Sequence, residues 1–301
     1  MTPTHSGFRH ETAFYATDDD FLEVVVPFVD EATAGGEPAI AAFGAVNENL
    51  LRDAVRHPER ITFLPGATHY ARPTDAILNY RRLLSEHVAG GAARIRVVGE
   101  IPHPGVGAPW DWWARYEVAV DSVYGEFPMW AMCAYDLRTT PAAVVDDVLR
   151  THPEVVERAG RRPNPDFGTR VAHPDPHPAE STPPLIDLVD PTPAVARHAV
   201  GAIAADLDGT RRDDIVYAVS EAVTNGMCHG VPPVVVRAWR WAGGVVATVS
   251  DRGEGPTSPT AGLVPEAHTS TAGLGLWLTH RTCAEVTLRR AAHGYTIMFA
   301  V

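Results

Sequence analysis

The pattern of apolar and polar positions changes character across a proline-rich stretch near the middle of the chain. Before it, short apolar runs alternate with amphipathic stretches. Residues 21–29 carry a helical pattern that stops near Gly35 and Gly36, and residues 38–43 (PAIAAF) form a short buried-strand pattern. Residues 74–87 are helical in period, 94–98 (RIRVV) and 129–135 (MWAMCAY) are strand-like, and 141–150 is helical again. Strands alternating with helices predict an α/β domain with a largely parallel sheet.

After the stretch the order is different. Residues 191–207 and 211–229 read as two helices. Residues 234–241 and 244–250 read as two strands joined by a tight turn at Ala242, Gly243 and Gly244. Residues 252–272 are rich in Gly, Pro, Ser and Thr and read as a long loop. A helix over 274–283 follows, and then a closing hairpin of 285–290 and 295–301 around His293 and Gly294. This order predicts an α+β sandwich, an antiparallel-rich sheet with helices on one face.

Residues 161–184 hold Pro163, Pro165, Pro174, Pro176, Pro178, Pro183 and Pro184. Proline removes amide donors and fixes φ, so this stretch reads as a semi-rigid linker. The division expected is 1–168 for the first domain, 169–186 for the linker and 187–301 for the second domain. His173 and His177 read as solvated linker side chains.

Composition narrows the function classes. Hydrophobic residues make up 45% of the 301 and charged residues 21%, an ordinary globular balance. A net charge of −12 with no basic stripe argues against a nucleic-acid partner. Cys133, Cys228 and Cys283 are far apart and form no CxxC pair. That fits reduced thiols and gives no zinc spacing. There is no signal-peptide pattern and no apolar run near the ~20 residues that span a bilayer. The expectation is a cytoplasmic protein without a membrane segment.

Chemistry concentrates in the second domain. On the helix VYAVSEAVTNGMCHG, Glu221, Asn225 and His229 follow at steps of four, within about 80° of arc. They line the edge of a stripe formed by Ile215, Ala218, Val219, Ala222, Val223 and Gly226. An amide oxygen suits a hard cation such as Mg²⁺, and a carboxylate one turn earlier can accept a proton. An exposed polar helix face would give the same spacing. Next, Asp251-Arg-Gly253-Glu-Gly255-Pro256 follows a strand. Its carboxylate can accept from an exocyclic amine such as adenine N6, and its glycines let backbone turn beneath a flat ring. Finally, Thr271-Ala-Gly273-Leu-Gly275-Leu276 opens a helix whose N-terminal amides suit phosphate oxygens.

Each motif alone is weak, but their order is specific. SEAVTNGMCHG, DRGEGP and GLGL resemble the N, G1 and G2 boxes of the GHKL ATPases, over roughly residues 190–301. The resemblance implies a Bergerat fold binding ATP and Mg²⁺. It implies that Asn225 ligates the metal and Asp251 reads adenine. It places His229 in the nucleotide site and has Gly253, Gly255, Gly273 and Gly275 shape the pocket. Thr296, in GYTIMFAV, would support the adenine contact. Within that superfamily the wording resembles the anti-sigma-factor serine kinases, in which Glu221 would be the catalytic base. Two features depart from the pattern. Gly226-Met227-Cys228 replaces small apolar residues, and the proline-containing lid offers only Arg252 and His268 near a γ-phosphate.

The first domain carries FRHETAFYA, RIRVVGE, WWARYE, MCAYD, RTHPEVV and NPDF. Together these resemble the MEDS sensory domain, which implies a RecA-like α/β core. No GxxxxGK[ST] is present, so no Walker A phosphate cradle is expected. His10, Arg96, Glu100, Trp113, Tyr116, Glu117, Tyr135, Asp136 and His152 are candidates for a polar-aromatic pocket. Ordinary core packing of the aromatics is the competing reading.

The resemblances imply an anti-sigma regulator. It would bind a sigma factor and phosphorylate a serine of an anti-anti-sigma factor, with a small-molecule signal at the first domain and homodimerisation as further elements. The alternatives are a non-catalytic adaptor whose partner binding depends on nucleotide, and a histidine kinase-like protein using His198.

Overall fold

The computed structural model describes residues 7–158, 160–168, 174–265, 274–291 and 294–301. The chain divides into two compact units, 1–172 and 173–301. Among the described residues, no helix is long and apolar enough to cross a membrane.

The first unit runs β1 (Arg9–Tyr15), α1 (Asp18–Ala34), β2 (Ala39–Phe43), α2 (Ala45–Ala54), β3 (Ile61–Pro65), α3 (Gly66–His69), α4 (Pro73–Ala89) and β4 (Ile95–Glu100). It continues with α5 (Trp110–Tyr124), β5 (Met129–Asp136), α6 (Ala142–Thr151), β6 (Glu154–Glu157) and β7 (Gly160–Pro163). The sheet order is β3-β2-β4-β5-β1-β6-β7. Every pairing is parallel except the antiparallel β6–β7 hairpin, so the sheet is mixed. Helix α1 starts at Thr17, whose side chain accepts from the Asp20 amide, and ends at Gly35.

β1 escapes the hydrophobic pattern, because its middle residues are His10, Glu11 and Thr12. Their exposures are 2%, 0% and 0%. Each is buried against a polar partner: Glu11 meets Arg161 at 2.8 Å, and Thr12 Oγ1 donates to the Cys133 carbonyl at 2.9 Å. A strand whose inward residues are polar but satisfied looks like a loop from its sequence.

The second unit runs β8 (Ile186–Val189), α7 (Pro193–Ile203), α8 (Gly209–His229), β9 (Val235–Trp241), β10 (Gly244–Asp251), α9 (Leu274–Thr282), β11 (Glu285–Ala291) and β12 (Gly294–Ala300). The sheet order is β11-β12-β10-β9-β8, antiparallel throughout. Ala242 and Gly243, at φ +48° and +79°, make the two-residue turn between β9 and β10. One face of the sheet packs its Val236, Ala238, Ala247, Val249 and Phe299 against Ala196, Val200, Val219 and Val223 of α7 and α8.

The opposite face corrects the linker reading of residues 161–184. Pro163 ends β7, an edge strand, where a missing amide costs no ladder bond. Further on, Pro178–Ser181 forms one turn of 3₁₀ helix. Ala179 of that turn is fully buried against Trp239, Val246 and Met298. Trp239 Nε1 donates to the Thr182 carbonyl at 2.9 Å, and Glu180 pairs with Arg289 at 2.6 Å. The part of the proline-rich segment from Pro178 onward therefore covers apolar sheet surface of the second unit.

Truncating Trp239 to Ala removes that contact. It is expected to lower the unfolding free energy of the second unit by about 3–5 kcal/mol. Leu185→Ala, at a side chain 61% exposed, is expected to change it by less than about 0.5 kcal/mol. Urea denaturation of the full chain, followed by tryptophan emission and far-UV circular dichroism, measures both.

Candidate functional site

Helix α8 is held by burial of Ile215, Ala218, Val219, Val223 and Gly226 against the sheet and α7. That burial turns Glu221, Asn225 and His229 along its flank, where all three line one cavity of about 500 Å³. Val249 of β10 and Tyr295, Ile297 and Phe299 of β12 form its sheet side. Leu276 and Thr279 of α9 close another side, with Ala261 and Gly262 from the loop after β10. Among the described residues, no hydrogen bond or ion pair engages the side chains of Glu221, Asn225 or His229. Three polar groups left free on a cavity wall are poor packing and good ligand donors.

Asp251 stands at the end of β10. Its Oδ1 accepts the Gly253 amide at 2.6 Å and the Val231 amide at 3.2 Å. Val231 returns a bond from its carbonyl to the Arg252 amide at 2.7 Å. One oxygen is thus fully used in joining the loop after α8 to the turn after β10. The other, Oδ2, lies beside Gly226 and Gly230 on the cavity wall and has no partner among the described residues.

Two glycines are needed for the cavity's shape. Gly255 has φ +68°, and a Cβ there would enter the Tyr295 ring. Gly275, in the first turn of α9, leaves room for the Glu221 carboxylate, which would collide with any side chain at that position. Gly253 also lines the cavity, and Gly273 and His268 lie outside the described residues.

Thr296 is not in the cavity. Side chains alternate along a strand, and Tyr295, Ile297 and Phe299 take the cavity face. Thr296 therefore turns to the other face, along with Met298 of the Trp239 cluster. Thr296, expected to support an adenine contact, thus lies off the cavity, while its neighbour Tyr295 lines it. Arg252 is exposed and does not line the cavity either.

The cavity is acidic. Glu221, Asp251 and Glu254 line it, and no arginine stands among its described lining residues. The sequence contains no lysine at all. At a separation of 4 Å and an effective dielectric near 20, each like-charge pair costs about 4 kcal/mol. A polyanion entering here needs a cation beside it. An amide oxygen at Asn225, among carboxylates, fits a hard divalent ion.

The candidates in the first unit separate. Arg96 is structural: it pairs with Glu37 at 2.9 Å and Glu31 at 3.1 Å, and it lies 4.5 Å over the Trp130 ring. Glu100 accepts from Tyr15 and from Asn47, the latter at 2.7 Å, and burial raises its carboxyl above the usual range. Asp136 is held by Arg138 at 2.8 Å. Trp113 and Tyr116 are core. His10, Glu117, Tyr135 and His152 do converge, and Cys133 joins them. Burial, and then the nearby His10, pushes His152 down to about 4. Burial, and then Glu117, pushes the Cys133 thiol up to about 12.

Two family models match this chain. Residues 9–153 match MEDS, the methanogen/methylotroph, DcmR sensory domain. Residues 189–301, which contain the whole cavity, match the histidine kinase-like ATPase domain. No curated protein matches the chain. The chain thus carries a MEDS domain in its N-terminal half and a histidine-kinase-like ATPase domain of the GHKL type at its C-terminal end.

Proposed function

We propose that this chain is an anti-sigma regulator whose second unit binds ATP with Mg²⁺ and phosphorylates a serine of an anti-anti-sigma factor. The first unit would adjust that activity in response to a signal. The observation that carries the reading is the row Glu221, Asn225 and His229, unpartnered among the described residues, beside the fixed carboxylate of Asp251, inside a matched ATPase domain.

Each residue has a role that its geometry supports. Asp251 Oδ2, left free while Oδ1 is saturated, accepts the adenine amino group. Tyr295 and Gly255 give a flat apolar wall for the base. Asn225 and its neighbours hold the metal, and Mg²⁺ when bound would neutralise phosphate charge that this acidic cavity cannot. Glu221, one turn before Asn225 and opposite Gly275, takes the proton of the attacking serine hydroxyl. His229 lines the same end of the cavity as Asp251 and Gly230.

One observation favours a second reading. No arginine or lysine stands among the described lining residues to meet the phosphates. A chain that binds nucleotide and switches partners without phosphotransfer would need none. The histidine kinase-like reading has less support, because His198 sits on the short α7, which packs against α8 inside the domain.

Asn225→Ala is expected to weaken ATP binding by about tenfold or more and to abolish its dependence on Mg²⁺. Thr296→Ala is expected to leave affinity within about twofold. Isothermal titration with and without the metal checks both.

Glu221→Ala is expected to keep ATP affinity and to lose transfer of radiolabelled γ-phosphate to a serine of the co-purified antagonist. If that variant transfers as well as the wild type, Glu221 is not the base. If the wild-type chain binds ATP and its partners without any transfer, the adaptor reading replaces the kinase one.

A further inference from the structure

The first unit brings together four buried side chains of metal-binding type that the proposed phosphotransfer does not use. His10 lies on β1 and Cys133 on the adjacent strand β5, where His10 pairs in register with Ala131 and Cys133 with Thr12. The two face the same side of the sheet, the side covered by α5 and α6. Glu117 comes down from α5, and His152 follows the last residue of α6. Their exposures are 2%, 7%, 2% and 0%. One ligand atom from each lies within 4.8 Å of all the others.

We propose that His10, Glu117, Cys133 and His152 form a closed, four-ligand site for a divalent cation of the zinc type. The spacing fits the size of such an ion. Tetrahedral bonds of about 2.0–2.3 Å separate neighbouring donor atoms by roughly 3.3–3.6 Å. Here His10 Nε2 and Glu117 Oε2 are 3.5 Å apart, and His152 Nε2 and Glu117 Oε2 are 3.4 Å apart. Cys133 Sγ lies 3.6 Å from His10 Nε2 and 3.7 Å from Glu117 Oε2.

The surrounding groups already point the four donors inward. His10 Nδ1 meets Asp121 at 3.1 Å, which leaves Nε2 for the centre. His152 Nδ1 donates to the Val148 carbonyl at 2.8 Å. Glu117 Oε1 accepts the Tyr135 hydroxyl at 2.5 Å, which leaves Oε2 free to turn toward the cluster. A carboxylate or carbonyl behind each ligating imidazole is the usual support in metal sites.

A second, independent observation separates a metal site from a buried ion pair. His152 Nε2 is fully buried, is aimed at the cluster 3.4 Å from Glu117 Oε2, and has no hydrogen-bond partner among the described residues. A proton shared between His10 and Glu117 would leave that nitrogen unsatisfied. One cation at the centre satisfies all four donors together and offsets the buried carboxylate. With four protein ligands and no open position, the site is structural or regulatory, not hydrolytic. It joins β1, β5, α5 and the end of α6.

The test uses the full-length chain, exchanged through chelator and reloaded with Zn²⁺ or Co²⁺ in the absence of nucleotide. The expected result is one tightly held zinc per chain. The Co²⁺-loaded chain is expected to show a thiolate-to-cobalt charge-transfer band with tetrahedral visible bands. Cys133→Ser should lose the charge-transfer band, while Cys228→Ser, at an exposed thiol, should keep it. Asn225→Ala should retain full zinc content, because it alters only the second unit. Wild-type protein that keeps no more than trace metal after desalting overturns the proposal, whatever the variants do. So does a charge-transfer band that survives in folded Cys133→Ser.

Discussion

Two backbone amides on one carboxylate oxygen fix the cavity of the second unit. Asp251 Oδ1 takes the amides of Val231 and Gly253, and the Val231 carbonyl takes the amide of Arg252. This ties the end of α8 to the end of β10, the two elements that carry the polar groups of the cavity. Because Oδ1 is saturated, Oδ2 alone remains to meet a ligand, and its direction is set by the same bonds. The flank of α8 then gives Glu221, Asn225 and His229 a defined place relative to that oxygen. Gly275 and Gly255 matter for the same reason: each leaves room for a fixed neighbour, the Glu221 carboxylate in one case and the Tyr295 ring in the other.

The elements that follow a single clean period were legible in the sequence. Helix α8, the β9–β10 hairpin and β5 lie within a residue or two of their expected bounds. Helix α8 also shows its polar row through spacing alone. Elements whose inward residues are polar were not legible. β1 hides because His10, Glu11 and Thr12 are satisfied by Asp121, Arg161 and the Cys133 carbonyl, which lie more than a hundred residues away in sequence. Thr296 lies off the cavity because a motif gives a neighbourhood and not a face, and the alternation of Tyr295, Ile297 and Phe299 decides the face. The proline-rich segment reads as a semi-rigid linker because proline shows what cannot form and says nothing of where Ala179 packs.

The first unit puts polar chemistry to a different use. The four convergent ligand-type side chains come from two strands, a helix and the residue beyond another helix, so no local spacing announces them. The absence of a CxxC pair was a sound reason not to expect a zinc finger. It could not exclude a site assembled by a parallel sheet, in which residues distant in sequence are neighbours in register. The two units thus hold two kinds of polar cluster. One is open and, among the described residues, unpartnered, suited to a ligand that comes and goes. The other is closed and supported on every side, suited to an ion that stays.

The central claim is that the second unit is an adenine-nucleotide site oriented by Asp251. Titration of the full chain with ATP and GTP, in the presence of Mg²⁺, tests it most directly. Adenine offers an amino group to Oδ2, whereas guanine sets a carbonyl oxygen against it. The account predicts that ATP binds at least about tenfold more tightly than GTP, and that Asp251→Asn removes most of that preference. Absence of ATP binding, or equal affinity for the two nucleotides in the wild-type chain, would contradict it.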